Sequence, residues 1–129
     1  MQRLKTRVQF QAVMAGSTVS RTAHFALHRS ALDATGPGSD GPKALFVVQA
    51  PWIGAVVPKR WAKRAVTRNT IKRQIYTVAQ DFAAQLPTAA HVVRLRSGFE
   101  RSRFTSATSD VLRQAVRAEL QQLFARVRP

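Results

Sequence analysis

The sequence predicts an α/β (α+β) two-layer sandwich: a sheet of about four strands covered by three helices, in the order α-β-β-β-α-β-α. Three observations support this. The chain has 129 residues, the usual length of one domain. It is 45% hydrophobic, enough to bury a small core. Apolar residues recur at helical spacing in three stretches and at strand spacing between them. We therefore expect one domain over residues 1–129.

The first helix is predicted over 7–14. The letters TRVQ at 6–9 match a capping box, in which the side chains of the first and fourth residues cap each other's backbone. Gly16 follows the expected end of this helix. The apolar stripe consists of Phe10, Val13 and Met14.

Three strands are expected between residues 22 and 57. TAHFALHRSAL (22–32) alternates apolar with small or polar residues, as in a half-buried strand. DATGPGSDGP (33–42) gathers Gly, Pro, Ser and Asp, which is typical of a surface loop. ALFVVQA (44–50) and WIGAVV (52–57) are short apolar runs that both resemble strands, and Pro51 separates them.

A second helix is predicted up to about Phe82, and its apolar stripe consists of Ile71, Ile75, Val78 and Phe82. HVVRLR (91–96) is the last expected strand. It flanks this helix together with 52–57, so the two strands are candidates for parallel pairing across a crossover. After a loop at 97–109, a third helix is expected from about Ser109. Its inward side chains would be Leu112, Val116, Leu120 and Leu123.

The charge is extreme: 21 Lys and Arg against 6 Asp and Glu, a net charge of +15. Self-repulsion of this size destabilises a compact state, so it indicates a polyanionic partner. The absence of cysteine excludes disulfides and thiolate metal sites. No apolar run approaches the roughly 20 residues of a membrane span. The Arg-rich, acid-free N-terminus also permits a transit peptide, against which the predicted capping box argues.

The basic stretch 58–73 contains seven cations and no acid: Lys59, Arg60, Lys63, Arg64, Arg68, Lys72 and Arg73. On a helical wheel, Asn69, Lys72 and Arg73 share one face with Tyr76, opposite the apolar stripe. A solvated face with i,i+4 ion pairs is the ordinary alternative, but no acid occurs on this helix before Asp81. The pattern favours contact with several phosphates at once.

PKRWAKRAVTRNTIKRQI (58–75) resembles the signature of the bacterial ribonuclease P protein, which reads approximately A-V-x-R-N-R-x-K-R. RLKTRVQFQAVMAG (3–16), HFALH (24–28) and HVVRLR resemble other parts of that family in the same order. Thr70 replaces the second arginine of the motif. The resemblance leaves residues 33–51 as a variable loop or insertion. It also implies a fold similar to the second domain of ribosomal protein S5.

The resemblance implies a cytoplasmic protein subunit that binds a catalytic RNA and the 5′ leader of precursor tRNA and assists endonucleolytic removal of the leader. It implies a monomeric protein in a 1:1 complex, with no membrane partner and with Mg²⁺ held through the RNA. The RNA subunit would be contacted by Lys59, Arg60, Lys63, Arg64, Arg68, Asn69, Lys72 and Arg73. The leader cleft would be lined by Phe10, Met14, Phe25 and His28. We expect Arg68 and Lys72 to bind RNA without being needed for folding.

No catalytic or metal-binding residue is expected in the protein itself. The six acids are scattered, and hydrolysis by a two-metal centre needs carboxylates that converge on ions about 4 Å apart. His24 and His28 share strand parity, but they lack a third ligand. Ordinary core packing is the alternative role for Phe10 and Phe25.

Other classes of function stay open at this stage. A basic structural RNA-binding protein of the ribosomal type explains the charge and the α/β pattern, although not the order of the motifs. A DNA-binding protein lacks helix-turn-helix spacing here. A membrane-surface module would leave the apolar stripe of the basic helix without a core to cover.

Overall fold

In a computed structural model of the chain, residues 1–33, 35–36, 43–99 and 110–127 are described. The helices are α1 (Arg7–Met14), α2 (Ala65–Asp81) and α3 (Asp110–Ala125). The strands are β1 (Gln2–Arg3), β2 (Ser17–Arg21), β3 (Phe25–Ser30), β4 (Thr35–Gly36), β5 (Lys43–Ala44), β6 (Trp52–Val56) and β7 (Ala90–Leu95). None of the described helices is long and apolar enough to cross a lipid bilayer.

Five strands form the main sheet, in the order β1-β6-β7-β3-β2. β1, β6 and β7 are parallel, whereas β3 and β2 continue the sheet antiparallel. The predicted parallel pairing across the second helix is confirmed, because β6 and β7 pair from Trp52↔Ala90 to Val56↔Arg94. The α+β class is therefore confirmed, with five strands in the main sheet rather than about four.

The strand count differs because neither edge strand has a sequence pattern that identifies it. β1 has only two residues and β2 is mostly polar, so neither shows an apolar alternation. The predicted strand at 44–50 was wrong. Only Ala44 pairs, in a two-stranded ladder of β4 with β5, and the segment then turns to bury Phe46 against the indole of Trp52. Trp52 Nε1 donates to the carbonyl of Val48 at 2.9 Å, which holds this turn in place.

Helix α1 has the bounds and the capping box that the sequence predicts. Thr6 Oγ1 accepts from the backbone N–H of Gln9 at 3.2 Å, and Gln9 Oε1 accepts from the backbone N–H of Thr6 at 3.1 Å. The Gln9 amide also donates to the carbonyl of Leu45 at 2.8 Å. One glutamine thus starts the helix and fastens the 45–50 segment to it.

Each face of the sheet has its own core. Helices α2 and α3 cover one face, where Phe25, Leu27 and Ile53 meet their stripes. The stripe of α3 is buried as predicted: Leu112, Val116, Leu120 and Leu123. Its predicted N-cap, Ser109, and nearly all of the predicted loop before it lie outside the described residues, as do 34 and 37–42 in the 33–51 region. The short α1 packs on the opposite face over Trp52 and Val92.

The carboxylate of Glu119 on α3 fastens the turn between β2 and β3 to that helix. Its Oε2 accepts from Thr22 Oγ1 at 2.6 Å and from the backbone N–H of His24 at 2.7 Å. Its Oε1 lies 2.7 Å from His24 Nδ1. The His24 ring also stacks on Phe99, with 4.0 Å between centroids. Glu119 therefore has a structural role, which its single position in the sequence does not suggest.

His91 is fully buried beside Ile53 on the face that α2 and α3 cover. Its Nδ1 lies 3.1 Å from the carbonyl of Trp52, so the neutral ring donates there. Nε2 has no hydrogen-bond partner in the described part of the chain. Burial, with a smaller contribution from the Arg29 charge, lowers the pKa of His91 to about 4.

This buried histidine predicts a loss of stability in acid. Because the pKa of the unfolded state is near 6.5, the unfolded chain binds the proton more tightly as pH falls from about 6.5 through about 4. We expect His91 to account for a loss of up to about 3 kcal/mol in the free energy of unfolding. Urea unfolding of the wild type and of His91→Leu at neutral and acidic pH measures this. Equal losses in the two proteins would contradict the prediction.

Candidate nucleic-acid interface

Helix α2 is oriented as its apolar stripe predicts. Ile71, Ile75 and Val78 are at most 1% exposed against the sheet, and Phe82 is half-buried at the C-cap against Phe124. The polar side chains Asn69, Lys72 and Arg73 are exposed on the outward side. The cationic residues of α2 thus point to solvent because the other side of the helix is buried.

The loop before α2 extends the same charged surface. Lys59, Arg60, Lys63 and Arg64 are all exposed. We call these four residues, together with Arg68, Asn69, Lys72 and Arg73, the basic face. Of the eight, only Arg68 is partly buried. Because none of the seven cations forms a salt bridge with a described acid, their charge is uncompensated at close range.

Arg68 has a structural contact that the sequence does not reveal. Its guanidinium donates to the carbonyls of Ala62 and Lys63, at 3.1 and 2.8 Å. It holds the loop against the first turn of α2, where the N-cap residue Arg64 makes no side-chain cap. The expectation that Arg68 is not needed for folding therefore changes: the residue orders the loop that carries half of the basic face.

Thr70 stands where the family motif has its second arginine. Its hydroxyl donates to the carbonyl of Val66 at 2.9 Å, one turn earlier in α2. The side chain is thus turned back onto its own helix. Position 70 contributes no charge to the basic face.

The α1 side of the sheet carries the first two residues of the predicted leader cleft. Phe10 and Met14 are half-buried there, next to Leu4 and Trp52. The Phe10 ring lies directly on Gly54 of β6: a Cβ at position 54 would be 2.5 Å from Phe10 Cε1. The glycine is therefore what allows this aromatic ring to approach the sheet so closely, and its significance was not apparent from the sequence.

Phe25 does not belong with Phe10, and its assignment to the leader cleft is corrected. It is 0% exposed and its side chain packs in the core under α2 and α3, on the opposite face of the sheet. Because successive side chains of a strand point to opposite faces, Phe25 shares its face with Leu27 rather than with His28. Core packing, the alternative considered for this residue, is what the structure shows.

His28 lies on the α1 side of the sheet but is itself only 5% exposed. Arg94 Nε donates to His28 Nε2 at 3.2 Å, so the neutral ring carries its proton on Nδ1 and donates to Thr18 Oγ1, also at 3.2 Å. Burial and the charges of Arg94 and Arg21 lower the pKa of His28, which keeps it neutral. His28 thus positions Arg94, a cation on this side that the sequence analysis did not assign.

The described acids are Asp33, Asp81, Asp110 and Glu119. Asp33, Asp81 and Asp110 are exposed and apart, and the carboxylate of Glu119 is occupied by the β2–β3 turn. Among the described residues, no three His, Asp or Glu side chains lie close enough to hold a metal ion. Asp40 and Glu100 lie outside the described residues.

Comparison with known proteins agrees with the motifs. The family model described as ribonuclease P matches residues 1–127. The chain is 34% identical over 125 residues to the ribonuclease P protein component of Bordetella parapertussis, covering 97% of this chain and 90% of that protein. It is 32% identical over 122 residues to the component of Ralstonia pickettii, covering 95% and 76%.

Solved structures show the same fold. The ribonuclease P protein of Thermotoga maritima superposes with a TM-score of 0.65 at 19% identity over 100% of both chains. That of Staphylococcus aureus gives a TM-score of 0.65 at 17% identity, over 97% of this chain and 94% of the other. These matches favour the ribonuclease P family over the alternative of a ribosomal-type RNA-binding protein. The chain belongs to the ribonuclease P protein family, the protein subunits of the endoribonuclease complex that processes the 5′ ends of tRNA.

Proposed function

We propose that this protein binds the catalytic RNA subunit of ribonuclease P through the basic face and the leader of precursor tRNA along the α1 side of its sheet. Hydrolysis is the work of the RNA. The protein acts as a monomer in a 1:1 complex in the cytoplasm. The observation that carries the proposal is the row of seven cations on 59–73: six of the side chains are exposed, and none of the seven forms a salt bridge with a described acid.

The basic face is better explained as a binding surface for a structured polyanion than as an ordinary solvated surface. An exposed helix normally mixes both signs of charge, which favours i,i+4 ion pairs. Here no described acid forms a salt bridge with the cations, so external anions would relieve their repulsion, and RNA supplies phosphates at regular spacing. Neutralising about six phosphates would give a slope of log K against log[salt] near −5.

The α1 side of the sheet offers a different kind of contact. Single-stranded nucleic acid binds where bases stack on aromatic rings beside cations that contact the backbone. Phe10 is partly exposed and packs against Gly54, Met14 lies one turn further along α1, and Arg94 is held on the same side by His28. This combination favours an unpaired strand such as the leader, with little dependence on its sequence.

Charge screening links the two surfaces. Two polyanions, the RNA subunit and the precursor tRNA, repel each other when they meet. A protein with a net charge of +15 between them lowers this repulsion. The Mg²⁺ ions needed for hydrolysis are held by the RNA in this proposal. The described carboxylates fit this view, because the most buried of them, Glu119, already accepts three hydrogen bonds.

Reconstitution tests the proposal as a whole. The protein, a transcript of its cognate RNA subunit and precursor tRNA are combined at low Mg²⁺ concentration. We expect leader removal to need both the protein and the RNA subunit, because the RNA supplies the hydrolytic centre and the protein supplies the charge screening. Leader removal by the protein alone, or no stimulation by the protein, would contradict the proposal.

A second prediction separates binding from folding within α2. Lys72→Ala should weaken binding of the RNA subunit and reduce the salt slope by about 1, with no change in urea unfolding. Arg68→Ala should weaken binding and also cost about 1–3 kcal/mol of stability, because two backbone carbonyls lose their donor. Arg117→Ala, an exposed cation on α3, is the matched control. Unchanged affinity in Lys72→Ala would count against the basic face.

A third prediction concerns the packing of Phe10 against Gly54. Gly54→Ala would place a Cβ within 2.5 Å of the ring and push it off the sheet. We expect weaker binding of precursor tRNA by the holoenzyme and unchanged binding of mature tRNA, which has no leader. In a Phe10→Leu background the loss should vanish, because both changes act through one ring. Val8→Ala on the exposed side of α1 is the control. Equal losses for both tRNAs would show a general defect instead.

A further inference from the structure

A groove lies on the outer side of α2, beyond the residues already assigned to the basic face. It measures about 630 Å³ and is lined by Arg3, Arg73, Tyr76, Thr77, Gln80 and Asp81. Ligand sites in proteins usually have volumes of about 300–1,000 Å³. Only Arg73 among these six residues belongs to the basic face, so most of the groove is new surface continuous with it.

Arg3 is brought to the groove by the edge strand β1. The backbone N–H groups of Gln2 and Leu4 donate to the carbonyls of Pro51 and Ile53, at 3.0 and 2.9 Å, and Leu4 is buried. Arg3 pairs with Ile53 in the register, which directs its side chain to the α2 side of the sheet. A residue 70 positions away in the sequence from Arg73 thus lines the same groove.

The guanidinium of Arg3 lies over an aromatic ring. Its Cζ lies 4.0 Å from the centroid of the Tyr76 ring, and Tyr76 itself is half-buried against the core. A planar guanidinium held in this way loses less conformational entropy when it binds than a free side chain loses. Its outer face is suited to stacking on a base and its edges to donating to a phosphate.

The other polar groups of the groove indicate which anion fits. In the described part of the chain, the Asp81 carboxylate forms no salt bridge with Arg3 or Arg73, although all three line the groove. A bare phosphate would be attracted by two guanidiniums but repelled by this carboxylate. A nucleotide also brings hydroxyl and amino donors, which Asp81 and the Gln80 amide oxygen can accept.

From these contacts we infer that the groove binds one nucleotide of the RNA subunit, with its phosphate between Arg3 and Arg73 and its base or ribose against Tyr76, Gln80 and Asp81. The inference rests on the proposed function, since it names a specific contact of the same RNA. It assigns an RNA-binding role to Arg3, which lies outside the basic stretch and its motif.

Equilibrium binding of the RNA subunit transcript tests the two arginines. Arg3→Ala and Arg73→Ala should each weaken binding about five- to tenfold and lower the salt slope by about 1. The double variant should lose less than the product of the two single losses, because both side chains clamp one phosphate. Arg117→Ala is the control for the loss of one charge. Arg3→Lys, which keeps the charge but not the plane, should bind more weakly than wild type.

Cross-linking identifies the occupant. The chain contains no cysteine, so Thr77→Cys gives one attachment point for a photoreactive group inside the groove. We expect cross-links to a short stretch of the RNA subunit, lost when Arg3→Ala is added. Urea unfolding of every variant confirms that the fold is retained, and Arg3→Lys provides the test if Arg3→Ala unfolds.

The outcomes separate this inference from the proposed function. If Arg3→Ala binds as Arg117→Ala does while Lys72→Ala weakens binding, the groove assignment is wrong and the basic face stands. Cross-links to precursor tRNA alone would also overturn the assignment. If the wild-type protein does not bind the RNA subunit, the proposed function fails first.

Discussion

The parallel pairing of β6 with β7 is the constraint on which the rest of the structure depends. Two parallel neighbours cannot be joined by a tight turn, so the chain must cross over the sheet, and α2 is that crossover. The crossover buries Ile71, Ile75 and Val78 and leaves the opposite side of the helix in water. The outward orientation of the cations therefore follows from strand pairing and from burial of the other side of α2. It requires no interaction between the charged groups themselves.

The same sheet gives the protein two chemically different surfaces. On the α2 side, helix packing produces an outward row of cations and a groove that the edge strand completes. On the α1 side, the helix is only eight residues long, so it leaves Phe10 and Met14 partly exposed beside Arg94. Under the proposed function, the basic face would contact a structured RNA and the α1 side would contact an unpaired strand.

Two of the described acids contribute to local structure and do not offset the positive charge of the basic face. The carboxylate of Glu119 accepts hydrogen bonds from the turn between β2 and β3, which ties α3 to this hairpin. Asp110 pairs with Arg113 in the first turn of α3. Neither offsets the basic face. The free chain therefore retains its self-repulsion, and binding of a polyanion relieves it. Stability and function are coupled through this excess of charge.

Local patterns were predictive wherever a short stretch contained its own signal. The capping box at Thr6 and Gln9 fixed the start of α1, and the stripes of α2 and α3 identified their buried sides. The charge of 59–73 likewise predicted an exposed basic face, which the proposed function assigns to RNA binding. Because a helix forms its backbone hydrogen bonds within its own segment, its periodicity and its capping residues can be recognised from the sequence.

Tertiary structure decided everything that depends on which distant residues become neighbours. It buried Phe25 under α2 and placed Arg3 over the ring of Tyr76. It also packed Phe10 against Gly54 and joined Arg94 to His28 by a hydrogen bond. Strands obtain their hydrogen bonds from partners far away in the chain, and polar edge strands show no periodicity of their own. The sequence alone determined the helices, the excess of positive charge and the family motif; the pairing order of the strands decided which side chains share a surface.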